Sequence, residues 1–246
     1  MPSPSSDRGA PLFLTTRWSV VLKAQDEASP DFDEAMASLC RAYWYPLYAF
    51  VRSQRHSPHD AQDFTQAFFA RLLGKEWLKA AARGKGRFRT FLCVAMKHFL
   101  ANERDHERAL KRGGLLHHMP LDHALAEERF QHEPVDTMSP DRIYERRWAL
   151  TLLEQAMARL RDDYAMQRKD LEFEALKDCL TAGRGAIPYA AKAAELGTSE
   201  GAARVAVHRL RKRYREVFRE TVADTVSSIG EVEEEIRHIA AILSEG

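Results

Sequence analysis

Two clusters of basic residues carry the most distinctive chemistry in this sequence. Residues 83–112 contain nine Lys or Arg against three acids, and residues 204–219 contain seven against one, so each cluster has a net charge of +6. Because the whole chain carries +1, the remaining residues sum to −11. Dense positive charge on an otherwise acidic chain favours phosphate binding, since each neutralised phosphate releases counterions. A solvated helix face is the alternative for either cluster taken alone.

Catalytic and metal-binding patterns are not found in the sequence. It has no Walker loop, no GxSxG and no HExxH, so no catalytic residue is assigned and an enzyme is not expected. Four histidines between residues 111 and 140 lack a partner at ligand spacing, which favours a solvated segment over a metal site. These histidines are His117, His118, His123 and His132. No metal or small-molecule cofactor is expected.

The cysteine pattern and the apolar runs indicate a cellular compartment. Cys40, Cys93 and Cys179 are odd in number, far apart and without a CxxC pair, which fits a reducing cytosol. No stretch approaches eighteen consecutive apolar residues, and the N-terminus has no basic stretch followed by an apolar core. We therefore expect a cytoplasmic protein with no membrane contact.

The hydrophobic periodicity predicts an all-α fold. Apolar residues recur at spacings of three and four, and β-branched alternation is almost absent. Helices are predicted at 15–25, 32–54, 59–73, 75–82, 87–110, 141–163, 168–181, 188–196, 199–226 and 230–243. Glycines and prolines interrupt the pattern between Lys111 and Pro140, where we expect at most a short helix near 123–130.

This pattern predicts two small helical domains joined by a linker. The predicted divisions are a leader with a short helix over 1–31, a first domain over 32–110, a linker over 111–140, a second domain over 141–228 and an acidic C-terminal helix over 229–246.

The segment 188–213, PYAAKAAELGTSEGAARVAVHRLRKR, has the pattern of a helix-turn-helix. A short helix ends at Gly197, a residue that readily adopts the left-handed conformation of a sharp turn, and Ser199 suits the cap of a second helix. The small side chain of Ala193 allows a close helix crossing, and the corner is expected to be filled by Leu196, Val205 and Leu210. The second helix of such a motif enters the major groove of DNA.

Side chains near the start of that second helix suit base recognition. Arg204 can donate two hydrogen bonds to guanine, and Glu200 can accept from cytosine. Arg211 and Lys212, further along, are better placed for phosphates. Helical corners with a glycine turn also occur in proteins that never bind DNA, but the +6 charge of this helix favours DNA.

The first half holds two further helical patterns. Residues 58–73, PHDAQDFTQAFFARLL, place Phe64, Phe68 and Leu72 on one face that suits a core. Residues 86–108 interleave basic groups with phenylalanines, a combination that suits unstacked bases on rings and phosphates on cations. Core packing is the alternative, which we favour for Phe91 and Phe99, whereas Phe88 is expected to be exposed.

Taken together, these motifs resemble the extracytoplasmic-function group of bacterial RNA polymerase sigma factors, over roughly residues 32–110 and 141–222. DAQDFTQAFFARLL at 60–73 resembles the helix that docks on the polymerase clamp. FRTFLCVAMKHFLAN at 88–102 resembles the segment that opens the minus-ten promoter element, and 188–213 would be the minus-thirty-five reader. The resemblance implies a sigma2-like and a sigma4-like domain, with core RNA polymerase and promoter DNA as partners.

The resemblance also implies three sets of contact residues. Polymerase would contact Asp60, Asp63, Gln66, Phe69 and Arg71. Minus-ten DNA would contact Phe88, Phe91, Lys97, His98 and Asn102, and we assign its phosphates to Arg87, Arg89, Arg104 and Arg108. Minus-thirty-five DNA would contact Ser199, Glu200, Arg204, His208, Arg209, Arg211 and Lys212.

Regulation admits several interpretations at this stage. Gln62 and Ala67 stand where the family often has Glu, so docking is expected to be weak, and phosphorylation of Thr65 by a kinase would add negative charge there. An ordinary helical Thr is the favoured alternative. An anti-sigma protein is another possible regulator. The acidic C-terminal helix packs on the second domain, which we favour, covers a basic DNA-binding surface in the free protein, or contacts a partner.

A conventional helix-turn-helix regulator is the rival function. Its first half would sense a signal or dimerise, and it would bind an operator without polymerase.

Overall fold

The computed structural model describes residues 30, 32–73, 87–107, 123–131, 138–183, 185–226 and 228–244, without the side chains at 33, 35, 36, 73, 104–107 and 123–125. All regular structure in these ranges is helical, which confirms the all-α prediction. The helices are α1 (Phe32–Ser53), α2 (Pro58–Leu73), α3 (Phe88–Glu107), α4 (His123–Gln131), α5 (Pro140–Met166), α6 (Asp170–Leu176), α7 (Tyr189–Glu195), α8 (Glu200–Ala223) and α9 (Val232–Ser244). Short 3₁₀ turns cover Lys177–Leu180 and Ile229–Glu231. The helices predicted at 15–25 and 75–82 lie outside the described residues.

Helix α1 is the centre of the larger core. Between Ser38 and Val51 every side chain except Arg41 is buried, because α2, α3, α4 and α5 all pack against this helix. A helix that is apolar on nearly all sides must be covered on all sides. The surrounding helices are therefore positioned by α1.

Helix α5 connects the two cores of the protein. Ser139 caps its start, with Pro140 in the first turn, and its first half contributes Tyr144, Trp148 and Leu152 to the larger core. Its second half contributes Leu160 and Tyr164 to a smaller core with α6, α7 and α8.

Two segments of the predicted second domain and tail also reach the larger core. Val222 and Val226, from the end of α8 and just after it, and Val232 and Ile239 of α9 are buried there. The division into two domains stays a prediction. The packing differs from the predicted boundary at residue 141, because the first half of α5 lies in the same core as α1.

Helix α4 lies within the predicted linker and is fixed to α1 by a partly buried cluster of polar side chains. Arg52 donates to both carboxylate oxygens of Glu127, each at 2.8 Å, and the Tyr48 hydroxyl donates to the same carboxylate at 2.5 Å. The hydrogen bond from Arg52 above all lowers the pKa of Glu127 to about 2 against the opposing effect of burial. Two opposite charges and a hydroxyl thus anchor a segment that the sequence indicated as mostly linker.

Removal of core volume on α5 is expected to destabilise the protein. Leu152 is 1% exposed, so Leu152→Ala should lower the free energy of unfolding by about 2–5 kcal/mol, measured by urea denaturation and circular dichroism. Leu171 on α6 is 87% exposed, so Leu171→Ala should change it by less than about 0.5 kcal/mol. Equal effects of the two substitutions would contradict this description of the core.

Candidate functional site

The turn between α7 and α8 has the geometry that the sequence predicted. Gly197 has φ +61°, and the amide of Thr198 donates to the carbonyl of Ala193 at 2.9 Å. A Cβ at Gly197 would meet no atom within 4 Å, so the backbone conformation, not crowding, favours glycine here. Ser199 caps α8 by accepting from the amide of Ala202 at 3.2 Å.

The outer face of α8 is exposed and mainly basic. Arg204 forms an ion pair with Glu200 at 2.7 Å, and its guanidinium lies 4.6 Å from the centre of the Tyr189 ring. This arrangement holds the cation at the start of α8 without burying it. The exposed side chains on this part of α8 are Glu200, Ala202, Arg204, Val205, His208, Arg209 and Lys212.

Two expectations for α8 are wrong. Val205 does not fill the corner between the helices but is 50% exposed, because Ala203, Val207 and Leu210 form the buried stripe. Arg211 is less available for phosphate than expected, because its Nε and one terminal nitrogen donate to the carbonyls of Cys179, at 2.9 and 2.6 Å, and Ala182, at 2.5 Å. Arg211 instead holds the Lys177–Leu180 turn against α8.

Helix α3 presents a second exposed stripe. Lys97, His98 and Asn102, all predicted as DNA contacts, lie on this face together with Thr90, Val94 and Ala101. Lys97 forms an ion pair with Asp141 of α5 at 2.5 Å, so a ligand of Lys97 would compete with that carboxylate. Phe91 is half-buried against the larger core, and Phe99 is buried in it, as favoured. The Arg104 side chain and Arg108 lie outside the described residues.

The start of α3 differs from expectation. Phe88 is 3% exposed rather than open to solvent, because its ring packs edge-on against Tyr43 and stacks on Phe91. Arg89 is 4% exposed, with its guanidinium 4.4 Å from the centre of the Trp148 ring. Burial, and then the neighbouring charge of Arg87, lowers the pKa of Arg89 to about 10, so it remains charged at neutral pH.

Helix α9 covers this part of α3. Glu235, which is fully buried, forms ion pairs with both Arg87 and Arg89, and Glu234 pairs with Arg87 at 3.1 Å. The sequence reasoning did not identify these two glutamates, although the acidic run 233–235 was the signal that could have done so. The favoured expectation that the tail packs on the second domain is incomplete, since α9 contacts α5, α8 and the start of α3.

Helix α2 exposes part of the predicted polymerase surface. Asp60, Asp63 and Arg71 are accessible, although the Asp60 carboxylate accepts from the Ser57 hydroxyl at 2.7 Å in a helix cap. The exposure expected of Gln66 and Phe69 is wrong, because both are buried where α2 packs on the core.

The proposed modification of Thr65 conflicts with the position of its side chain. Thr65 is fully buried, and its hydroxyl donates to the Ala61 carbonyl at 2.7 Å. A kinase cannot reach this hydroxyl, and a phosphate has no room here, unless α2 first detaches.

Comparisons with family models, with curated proteins and with solved structures give no match to this chain. None of the helices in the described ranges is long and apolar enough to cross a membrane. Where side chains are described, no group of three or more His, Cys, Asp or Glu is arranged to hold a metal ion.

The contact of α9 with α3 is expected to depend on pH through His238. Burial, then Arg89, lowers the pKa of His238 below its ordinary value of 6.5; Arg87 acts in the same direction, whereas Glu145 and Glu234 oppose it. The neutral imidazole therefore stabilises the fold above about pH 6.5, and this contribution is lost as pH falls through the lowered pKa.

A His238→Gln variant should consequently lose less thermal stability than the wild type between about pH 7 and pH 5.5. Differential scanning fluorimetry across that range is the measurement. Parallel pH profiles for the two proteins would show that His238 does not titrate in this contact.

Proposed function

We propose that this chain is a sigma factor of the extracytoplasmic-function type, which binds core RNA polymerase and directs it to promoters. The catalysis would belong to the polymerase, and this chain would supply sequence recognition and hold the separated strand. The proposal comes from the sequence motifs, and the geometry supports it most directly at α8.

The outer face of α8 is the observation that carries the proposal. A capped helix follows a glycine turn, and its first three turns expose Arg204, His208 and Arg209 together with an apolar side chain, Val205. In a major groove, an arginine fork recognises guanine and an apolar side chain contacts the thymine methyl group. These are the chemical groups that base recognition requires.

The exposed stripe of α3 supports a second DNA contact. Lys97, His98 and Asn102 combine a cation with hydrogen-bonding groups, and Val94, 44% exposed, adds an apolar surface beside them. Unstacking a base step requires about a few kcal/mol, which contacts to the released strand must return. Such a mixed face suits an unpaired strand better than a duplex backbone.

The exposed carboxylates of α2 support docking on a basic partner. Asp63 is about half exposed, and Asp60 lies one turn earlier. With Gln66 and Phe69 buried, fewer side chains remain on this face than the sequence predicted, so a weak affinity for polymerase is expected.

Purified core polymerase provides the test. The chain should co-purify with the core enzyme, direct run-off transcription from a subset of a promoter library, and bind duplex promoter DNA weakly on its own. Tight operator binding without polymerase, and no transcription with it, would contradict the proposal and favour the rival regulator.

A pair of arginine variants separates base recognition from general charge loss. Arg204→Ala should lower discrimination at one minus-thirty-five position by about 1–3 kcal/mol, because its fork of donors is lost. Arg41→Ala removes an exposed arginine from α1 and should leave that discrimination unchanged. Equal losses in both variants would exclude Arg204 as a base-reading residue.

A further inference from the structure

The first turn of α9 places carboxylates on cations of another helix. Glu235 is fully buried between Arg87 and Arg89, and Glu234 reaches Arg87 from the surface. These contacts join residues almost 150 positions apart in the chain. Both arginines are among those expected from the sequence to contact DNA phosphates.

Helix α9 closes access to Arg89 and pairs with Arg87, which stays partly exposed. Arg89 lies against the Trp148 ring on one side, and the hydroxyl of Tyr144 donates to its carbonyl at 2.9 Å. With only 4% of its surface accessible, Arg89 cannot meet an external anion while α9 is in place. A carboxylate beside two guanidinium groups uses the same charge-assisted hydrogen bonds that a phosphate would use.

The contact has the features of a displaceable one. A buried ion pair contributes little net stability, because desolvation of the two charges offsets much of their attraction. Exchange of Glu235 for a phosphate would keep both guanidinium groups paired. Displacement of α9 would also have to break its apolar contact with the larger core. Val232 and Ile239 are buried in that contact, and Ile236 and Leu243 are half-buried beside them.

We propose that α9 is an internal competitor of nucleic acid: Glu234 and Glu235 occupy Arg87 and Arg89 in place of strand phosphates, and single-stranded DNA gains these arginines only when α9 leaves. This inference rests on the proposed function, because it takes the start of α3 as part of the DNA-binding surface. It adds to that function an autoinhibited form of the chain, in which α9 must leave α3 before the promoter strand can bind there.

Charge-neutral variants of the full-length chain test the competition. A Glu234→Gln/Glu235→Gln protein should bind a fluorescein-labelled single-stranded oligonucleotide with a Kd at least about fivefold lower than the wild type in low salt, because a larger fraction of molecules is open. Glu231→Gln removes one negative charge, as Glu234→Gln does, but from the turn just before α9, where Glu231 accepts from Ser228, and should stay within about twofold of the wild type. Fluorescence anisotropy gives the values.

A second measurement distinguishes local release of α9 from loss of the whole fold. Hydrogen exchange of the α3 and α9 amides should be faster in the double variant, while that of α8 stays unchanged. Glu234→Gln alone, at a largely exposed side chain, keeps Glu235 in place and should give a smaller gain in affinity of the same sign. Global acceleration of exchange in the double variant, with no gain in affinity for Glu234→Gln, would overturn the proposal and leave Glu235 a structural residue.

The remaining outcomes separate the two proposals. Equal oligonucleotide binding by wild type and both variants would overturn the competition but leave the sigma-factor proposal standing. Faster exchange at α3 in a variant that binds neither the oligonucleotide nor core polymerase would overturn both.

Discussion

Arg89 carries a positive charge into the interior of this protein, and the helices around it compensate that charge. A guanidinium almost withdrawn from water requires a carboxylate and a polarisable neighbour, which Glu235 and Trp148 provide. Because burial lowers the pKa of Arg89 only to about 10, the group stays charged at neutral pH and an anionic partner stays necessary. Helix α9 is thereby tied to the start of α3, and the carboxyl end of the chain to its first half.

This contact changes how the basic residues of the sequence are understood. A count of charges treats every lysine and arginine as available for phosphate, yet Arg89 and Arg211 have internal partners. Where the structure describes the two basic clusters, the exposed cations are Lys97 on α3 and Arg204, Arg209, Lys212, Arg215 and Arg219 on α8. Under the proposed function, these exposed residues would be the ones left to contact DNA.

The helices were predictable from the sequence because amphipathic periodicity and caps are local properties. Gly197 and Ser199 mark helix ends as expected, and the apolar stripe of α9 is the buried one. The orientation of single side chains was harder to predict from the sequence. The pattern predicted only one buried stripe on α2, formed by Phe64, Phe68 and Leu72. Thr65, Gln66 and Phe69 lie beside that stripe and are buried as well. Partners distant in sequence, such as Arg89 and Glu235, leave no local pattern.

The distance between α9 and α3, measured in the free chain and in the promoter complex, tests most directly whether α9 leaves α3 when DNA binds. Spin labels on Thr90→Cys and Ala240→Cys, both at exposed positions, report this separation by double electron–electron resonance, with the native cysteines buried. A single short distance in the free chain should give way to a longer one when core polymerase and an opened promoter are added. An unchanged short distance in a transcriptionally active complex would contradict the displacement of α9.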